Sequence, residues 1–422
     1  MPSKPQQNKV LVDKSRSTTL HLTGILFLIL YFVAGAIYSI NLTTETRFKD
    51  EREYLALSDY LLHGPGYSLD GVHLTALRPP GYPFFVTALK AMGGTNTCIR
   101  LAQYLLVIST ILLIYRFCPK NARSTGLLVV TSLVMLYPVL FYTSATIYPQ
   151  TLTAFLFILS MTLLAATPRG ALLNLMTGLS FGLLILVTPT FIFTLIVALV
   201  MSKIFQIIRW RDCLYVLVAA TFTIGLWTTR NAVLFHQFVP IASNSGYNLL
   251  LGNCENTVPY GGTANIDLVD YNNKAIAMGL NEFQMDHYYQ KAAINWIEHH
   301  RLSAIALYFE KVLNFFNVWN EYSPLNSSEI VPWKQLVMAF TYMMLLALLI
   351  WRLLERNRFP LIPLEKLFLA VYVLSAFTSA IFVTRIRYRL PYDYLIIAII
   401  AIHLNNRIQA WLETSSRKNE TP

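Results

Sequence analysis

The sequence predicts an all-α fold: a polytopic integral membrane protein with about ten transmembrane helices, an amphipathic external first loop and one larger external loop region. Hydrophobic residues make up 55% of the 422 residues and charged residues only 13%, and the apolar residues form runs of membrane-spanning length. Basic residues recur in the short segments between alternate runs, as the positive-inside rule expects of cytoplasmic turns. The same rule explains much of the net charge of +11, which therefore does not indicate nucleic-acid binding.

The first element is a basic cytoplasmic tail, residues 1–19, which leads into an apolar run at residues 20–42 that contains no charged residue. This run is longer than the apolar part of a signal peptide, and we expect it to be retained as a span. The ten predicted spans are residues 20–42, 98–116, 124–144, 149–167, 171–188, 189–205, 213–230, 333–352, 361–383 and 391–411.

Two stretches allow more than one interpretation. Residues 81–92 are apolar but too short to span a bilayer, and a span there would move the following basic turn outside, so we predict a surface helix. Within 171–205, Pro189 is either in an external turn between two spans or at a kink in one long helix. The proline and the total length favour two short spans.

These spans divide the chain into regions. Residues 20–230 form an N-terminal membrane domain that includes the first external loop, residues 43–97. Residues 231–332 form the larger external loop region, residues 333–411 the C-terminal membrane helices, and residues 412–422 a cytoplasmic tail. The four cysteines lack metal-ligand spacing and imply no disulfide framework.

The first loop carries an acidic pair, Asp50 and Glu51, directly after the first span. An arginine, Arg78, follows on the same loop beside a rigid Pro79-Pro80 turn. A carboxylate at the membrane surface with an arginine nearby suggests chemistry on a lipid-borne substrate. The alternative is that Asp50 is a solvated loop residue and that Glu51 forms a surface ion pair of little energetic value.

Several arginines lie on the external side of the predicted topology, against the positive-inside bias. Guanidinium groups bind phosphate through paired, charge-assisted hydrogen bonds, so a lipid phosphate at headgroup level would attract them. The alternative is that they only extend toward headgroups as anchors. The arginines concerned are Arg78, Arg230, Arg385, Arg387 and Arg389.

Motifs in the expected order resemble those of C-type membrane glycosyltransferases, in particular the protein mannosyltransferase and lipid A aminoarabinose transferase group. The first loop contributes residues 50–54 (Asp-Glu-Arg-Glu-Tyr), 64–67 (Gly-Pro-Gly-Tyr) and 78–83 (Arg-Pro-Pro-Gly-Tyr-Pro). The segment from Trp227 to Asn253 resembles the entry into that group's large external region. Residues 387–391 (Arg-Tyr-Arg-Leu-Pro) resemble its arginine-rich signature before the last span.

The resemblance implies a polyprenyl- or dolichyl-phosphate-linked sugar donor and inverting transfer on the non-cytoplasmic side. Asp50 would take the proton of the acceptor hydroxyl, since general-base removal makes a hydroxyl a better nucleophile, and Glu51 is the second catalytic candidate. Arg78 would stabilise charge on the leaving phosphate. The remaining donor-phosphate candidates are Arg385, Arg387 and Arg389.

Residues in the other matching segments are candidates for binding substrate. They are Tyr82, Gln150, Arg230, Asn231, Asn248 and Asn253. Some members of the group carry a metal-binding acid where this chain has Leu77, and His73 is a single histidine nearby. We therefore assign no metal-ligating residue and no certain cofactor, with a divalent metal ion as the alternative.

The predicted function is transfer of a sugar from a polyprenyl-phosphate donor to a cell-envelope glycan, glycolipid or protein. We expect the protein in a bacterial inner membrane, among membrane lipids and without nucleic-acid partners, its active site facing the periplasm or exterior. Two alternatives have different mechanisms: an O-antigen-polymerase-like enzyme and a non-enzymatic transporter of lipid-linked sugars. The acidic first loop argues against the polymerase, and charges placed at the external edge argue against the transporter.

Overall fold

The computed structural model of the chain describes residues 4–119, 123–263, 266–319 and 332–418. Regular structure in these ranges is helical apart from an isolated antiparallel bridge between Ser68 and Leu74, which confirms the predicted all-α class. The helices are α1 (Lys4–Leu42), α2 (Lys49–His63), α3 (Gly81–Ala91), α4 (Asn96–Tyr115), α5 (Arg123–Met135), α6 (Pro138–Ser144), α7 (Gln150–Ala165), α8 (Ala171–Val187), α9 (Phe191–Ile204), α10 (Trp210–Phe235), α11 (Ser245–Gly252), α12 (Val269–Ala277), α13 (Glu282–His299), α14 (Arg301–Phe315), α15 (Pro332–Leu354), α16 (Pro363–Ser379) and α17 (Ile386–Lys418).

Helices of membrane-spanning length confirm that the fold is a polytopic membrane protein. Among the described residues, five segments are long and apolar enough to cross a bilayer, and a bent pair of helices makes a sixth if it is counted as one span. The five are Thr18–Leu42, Asn96–Tyr115, Trp210–Phe235, Trp333–Asn357 and Ile386–Leu412. The shorter apolar helices α7, α8 and α9, and the 17-residue α16, coincide with the other predicted spans. The count of ten spans stays a prediction.

Two prolines mark where the predicted spans are interrupted. Around Pro189 the chain forms two separate helices, α8 and α9, rather than one kinked helix. Residues 124–144, predicted as one span, form two helices, α5 and α6, which meet at an angle of 75°. Pro138 is the first residue of α6; proline lacks an amide donor and is tolerated at that position but not within a helix. The bend turns the chain so that residues 145–149 reach the first loop.

Helix α17 lies at the centre of the membrane part. Residues 389–403 are all buried, and α5, α7, α15 and α16 pack around them. A helix that is covered on every side is expected to be apolar on every side, and residues 395–402 fit this expectation. The first turn of α17 is therefore held on a helix that is covered on every side.

The start of α17 also contains a buried ion pair that the sequence analysis did not foresee. Arg389 Nε lies 3.2 Å from Asp393 Oδ1, and Tyr137 donates to Asp393 Oδ2 at 2.8 Å. Both charged side chains are at most 1% exposed. A buried pair persists only when its remaining donors and acceptors are satisfied, and here the tyrosine at the α5–α6 bend supplies one of those bonds.

The long loop region, residues 231–332, forms a small apolar core of its own where it is described. Leu250, Tyr289 and Ala293 are among its buried residues. Asp286 of α13 accepts the backbone N–H groups of Gly246 at 2.7 Å and Tyr247 at 3.2 Å, which satisfies the free amides at the start of α11.

A carboxylate of α13 connects this region to the first loop. Glu282 accepts hydrogen bonds from Thr75 Oγ1 at 2.5 Å and from the Ala76 amide at 3.0 Å, and also from the Ser243 hydroxyl. The stretch of the first loop that leads to Arg78 is thereby fixed against the long loop region.

Candidate active site

Asp50 lies in the first turn of α2 and is contacted by residues from three distant segments. Its Oδ1 accepts from Arg78 Nη2 at 2.9 Å, and its Oδ2 accepts from the hydroxyl of Tyr148. Arg387 Nη1 lies 3.7 Å from the same Oδ2. The side chains of Asp50 and Arg387 are each 25% exposed and that of Arg78 is 22% exposed, so the cluster is sheltered but reachable from solvent.

Hydrogen bonds hold both the side chain and the backbone carbonyl of Arg78. Its Nε and Nη2 donate to Glu53 Oε2 at 2.8 and 2.5 Å, and the Tyr67 hydroxyl donates to the Arg78 carbonyl at 2.8 Å. Burial disfavours charge on Arg78, but the neighbouring Tyr54, Asp50 and Glu53 outweigh burial and raise the pKa of Arg78 above its ordinary value. The guanidinium therefore carries a permanent positive charge beside the Asp50 carboxylate.

Tyr148 connects Asp50 to Arg387. It donates to Asp50 and accepts a hydrogen bond from Arg387 Nη1 at 2.6 Å. Arg387 Nη2 donates to the Tyr388 hydroxyl at 2.9 Å, and the guanidinium carbon lies 5.4 Å from the centre of the Tyr148 ring. Arg387 begins the central helix, so a guanidinium on a rigid support faces the carboxylate.

Glu51 is adjacent to Asp50 in sequence but does not share its position. Glu51 is completely buried. Its Oε1 accepts the backbone amides of Arg47 at 2.8 Å and Phe48 at 3.0 Å, and its Oε2 accepts the amide of Ile147 at 3.1 Å. These bonds cap the N-terminus of α2 and attach it to the turn that carries Tyr148. The geometry gives Glu51 a structural role at the start of α2, and its catalytic role stays a prediction.

The three arginines that the sequence places together are separated in the structure. Arg387 joins Asp50, whereas Arg389 pairs with Asp393 and donates from Nη1 to the Asn317 carbonyl at 2.7 Å. Arg385 packs at Gly262, where an added Cβ would lie 2.5 Å from Arg385 Nη1. Arg387 and Arg389 lie two positions apart on α17 and so point to different faces, and Arg385 precedes that helix. The cluster in sequence is therefore not a cluster in space.

Two of the predicted substrate-binding residues, Tyr82 and Arg230, support the loops around the site, and a third, Gln150, lies at the start of α7. The Tyr82 hydroxyl donates to Gln103 Oε1 at 2.8 Å, and its ring centre lies 5.1 Å from that of Tyr54. Arg230 donates to the Thr75 carbonyl at 3.1 Å and lies 4.6 Å above the Trp227 ring. Gln150 begins α7, and its buried Oε1 has no hydrogen-bond partner among the described residues.

The three predicted asparagines are bonded to the backbone. Asn231 is fully buried and donates to the Val239 carbonyl at 3.0 Å. Asn248 donates to the carbonyl of residue 244 at 2.8 Å. Asn253 donates to the Ile381 carbonyl at 2.9 Å and accepts from Lys311 Nζ at 3.2 Å. In this structure the geometry shows them holding turns rather than lining the Asp50 cluster.

Two members of the cluster were not predicted. Glu53 lies three residues after Asp50 on α2, a spacing that puts both acids on one helix face, and this signal was available in the sequence. Tyr148 lies in the short turn before α7, and only the bend between α5 and α6 brings it to the first loop. The local sequence does not indicate that Tyr148 contacts Asp50.

Among the described residues, no group of three or more histidine, cysteine, aspartate or glutamate side chains is arranged to hold a metal ion. His73, considered above for its position near Leu77, lies with its Nδ1 2.8 Å from Asp70 Oδ2. Asp70 also accepts the amides of Val72 and His73, so the histidine belongs to an exposed turn.

Fold and site together define a helical membrane protein whose first loop holds a carboxylate between two arginines. The chain is similar to ArnT from Cupriavidus metallidurans bound to undecaprenyl phosphate, with a TM-score of 0.44 and 11% sequence identity over 90% of this chain and 77% of that one. For the apo state of the same protein the TM-score is 0.39 and the identity 13%, over 89% and 77%. No protein-family model matches the sequence, and no curated protein matches it. The site residues above are assigned on this chain's own geometry.

Proposed function

We propose that the protein is an inverting membrane glycosyltransferase that moves a sugar from a polyprenyl-phosphate donor to a cell-envelope acceptor. The observation that carries the proposal is the convergence of Arg78 and Arg387 on Asp50 from opposite ends of the chain. If Asp50 were only a solvated loop residue, it would not need two guanidinium groups and a tyrosine hydroxyl from three separate segments. Clusters of this kind are typical of functional sites.

Asp50 is the general base of the proposed reaction. Its carboxylate accepts the proton of the acceptor hydroxyl as that oxygen forms a bond to the anomeric carbon of the donor sugar. The bond between the anomeric carbon and the phosphate oxygen breaks, and its electron pair leaves with the polyprenyl phosphate. Attack from the face opposite the leaving group inverts the anomeric configuration. General-base assistance of this kind contributes typically about a hundred- to ten-thousand-fold in rate.

Arg78 and Arg387 are the proposed ligands of the donor phosphate. A guanidinium presents five donors in a planar fork that suits phosphate oxygens. Arg78 uses Nε and Nη2 toward Glu53 and Asp50, which leaves Nη1 able to donate to a phosphate. Positive charge already in place where negative charge develops stabilises the transition state without reorganisation.

The proposed location is a bacterial inner membrane, with the site facing the periplasm or exterior. The support is the charge pattern around the first span: basic residues precede it and the acidic pair follows it. The first loop, the 145–149 turn and the start of α17 all meet at Asp50. In the predicted topology all three belong to the external side, as a single site requires.

The first test is Asp50→Asn in purified protein reconstituted in lipid nanodiscs. Polyprenyl-phosphate sugars serve as donors, envelope extract supplies the acceptor, and release of polyprenyl phosphate measures turnover. We expect turnover to fall by about 10² to 10⁴ while affinity for polyprenyl phosphate is retained. The control is Asp59→Asn on the same helix, where the acid is 54% exposed and paired with Lys90. Turnover of Asp50→Asn at the wild-type rate would reject the mechanism.

A further inference from the structure

A cavity of about 170 Å³ lies beside the start of α17. Tyr260 and Trp319 line it together with Asn317 and Arg385. A cavity of about 150 Å³ is large enough to bind a six-membered ring. This cavity therefore has room for one ring of a ligand.

The lining has the chemistry of a sugar subsite. The side chains of Tyr260 and Trp319 are 55% and 47% exposed, so their aromatic faces are available for contact. Each face of a pyranose ring that bears axial C–H bonds is apolar and packs on an aromatic ring, while its hydroxyls need polar partners at the rim. Arg385 and Asn317 supply such groups. Aromatic walls with a few placed polar groups are typical of small-molecule sites.

The walls of this cavity are fixed rather than loose. Asn317 Oδ1 accepts the Trp319 amide at 2.9 Å, and Asn317 Nδ2 donates to Asn314 Oδ1 at 3.0 Å. The buried Arg389 donates to the Asn317 carbonyl at 2.7 Å and to the Phe315 carbonyl at 3.1 Å. The ion pair in α17 thus positions the segment that carries Trp319, which gives Arg389 a role at this cavity.

Gly262 fixes the opposite wall. A Cβ at this residue would lie 2.5 Å from Arg385 Nη1 and 2.6 Å from its Cζ. Only a residue without a side chain allows the guanidinium to lie this close to the backbone. The position of Arg385 in the cavity therefore depends on Gly262.

The cavity lies against the stretch of chain that also carries Arg387 of the Asp50 cluster. Arg385 lines the cavity and Arg387 faces Asp50, and two residues of chain span at most about 7 Å between Cα atoms. The cavity and the Asp50 cluster thus share one short stretch of backbone.

We propose that this cavity binds a saccharide ring of a substrate, through stacking on Trp319 and Tyr260 and hydrogen bonds to Arg385. The proposal rests on the proposed function and adds a subsite to it. The ring belongs either to the donor sugar or to the acceptor glycan, and both present the same chemistry to the cavity.

Binding measurements on the full-length protein in nanodiscs test the subsite. Saturation-transfer NMR detects binding of single sugar rings, supplied as the methyl glycosides of glucose, mannose, galactose, N-acetylglucosamine and 4-amino-4-deoxyarabinose. In parallel, the affinity for polyprenyl-phosphoglucose is compared with that for polyprenyl phosphate. The variants are Trp319→Ala and Gly262→Ala. Matched controls are Phe238→Ala, an aromatic residue that is 81% exposed, and Gly225→Ala, whose Cβ would meet nothing within 4 Å.

We expect Trp319→Ala to weaken ring binding about tenfold, the loss of one aromatic contact, and Gly262→Ala to weaken it by displacing Arg385. If the variants bind glycosides more weakly than the wild type but keep its preference for polyprenyl-phosphoglucose over bare lipid phosphate, the ring belongs to the acceptor. If the variants lose that preference, the ring belongs to the donor. Absence of glycoside binding and of the preference in the wild type, or equal binding in Trp319→Ala, overturns the subsite. Affinity for bare polyprenyl phosphate depends on Arg78 and Arg387, so its absence would instead contradict the proposed function.

Discussion

Two adjacent acids in the first loop have different environments. Asp50 is a quarter exposed and lies between two arginines, whereas Glu51 is buried and accepts three backbone amides. Neighbouring positions on a helix point about a hundred degrees apart, so one acid faces the site while the other faces the protein. At the first turn of a helix, an acid that points inward becomes a cap.

Glu51→Gln therefore tests stability more than chemistry. The amide keeps one acceptor oxygen but places an NH₂ group where an acceptor is needed, leaving at least one buried backbone amide unpaired at a cost of about 1–3 kcal/mol. We expect a lower Tm in detergent and a smaller loss of turnover per folded molecule than Asp50→Asn shows. Thermal unfolding followed by circular dichroism, with turnover measured on the same sample, makes the comparison. A wild-type Tm combined with abolished turnover would restore Glu51 as a catalytic residue.

Substitutions of Arg387 and Arg389 should also have different effects, the first on phosphate binding and the second on stability. Arg387→Ala is expected to fold and to bind polyprenyl phosphate more weakly, with Arg387→Lys recovering part of the loss because an ammonium gives no paired contacts. Arg389→Ala leaves Asp393 buried without its partner, which costs about 3–5 kcal/mol. Tm and lipid-phosphate affinity, measured for all three variants, separate the two effects. Weakened affinity in Arg389→Ala at an unchanged Tm would show that it contacts phosphate after all.

At the scale of elements, helix ends and connections position the site more than helix interiors do. The bend between α5 and α6 delivers Tyr148, and the loop before α17 is joined to α11 through a lysine. Lys311 of α14 is 1% exposed and donates from Nζ to the carbonyls of Gly252 at 2.7 Å and Phe382 at 3.0 Å. One buried ammonium thus ties three elements together.

This lysine makes stability depend on pH. Burial lowers the pKa of Lys311 from its ordinary value of 10.5 to about 8. Between pH 8 and pH 10.5 the unfolded chain keeps the proton while the folded chain loses it, so the free energy of unfolding rises with pH across this window. The rise is at most about 3.4 kcal/mol, which is 2.5 pH units at about 1.36 kcal/mol per unit. The measurement is Tm against pH, with Lys311→Met as the comparison. An identical slope in that variant would assign the dependence to other groups.

For the whole molecule, the decisive test is which side of the membrane the site faces. In a background without the four native cysteines, Val72→Cys in the first loop and Asn273→Cys in the long loop region place thiols at exposed positions. Both should react with an impermeant reagent in intact cells. Asn357→Cys, exposed in the predicted cytoplasmic turn after α15, should react only after permeabilisation. The reverse pattern would place Asp50 in the cytoplasm and contradict the proposed reaction.

The sequence predicts this fold well where one physical force dominates. Apolar length and charge placement located the helices, and Pro189 correctly marked a break. The bend at Pro138 was missed because the run 124–144 is apolar on both sides of it, and hydropathy carries no information about the direction of a helix axis. For the site, Asp50, Arg78 and Arg387 were named in advance and the structure brings them together. Tyr148 was not, because its contact depends on that bend. The pairing of Arg389 with Asp393 was not foreseen either, because the burial of Asp393 has no local signature in the sequence.

The distribution of the cluster along the chain also has a consequence for biosynthesis. Asp50 and Arg78 emerge early from the ribosome, whereas Arg387 belongs to α17, which is made more than 300 residues later and against which α5, α7, α15 and α16 pack. A nascent chain that has placed its first loop across the membrane therefore holds only part of the cluster. Completion of the site coincides with docking of α17, so under the proposed function an unfinished or misassembled chain would be unable to discharge activated lipid carriers.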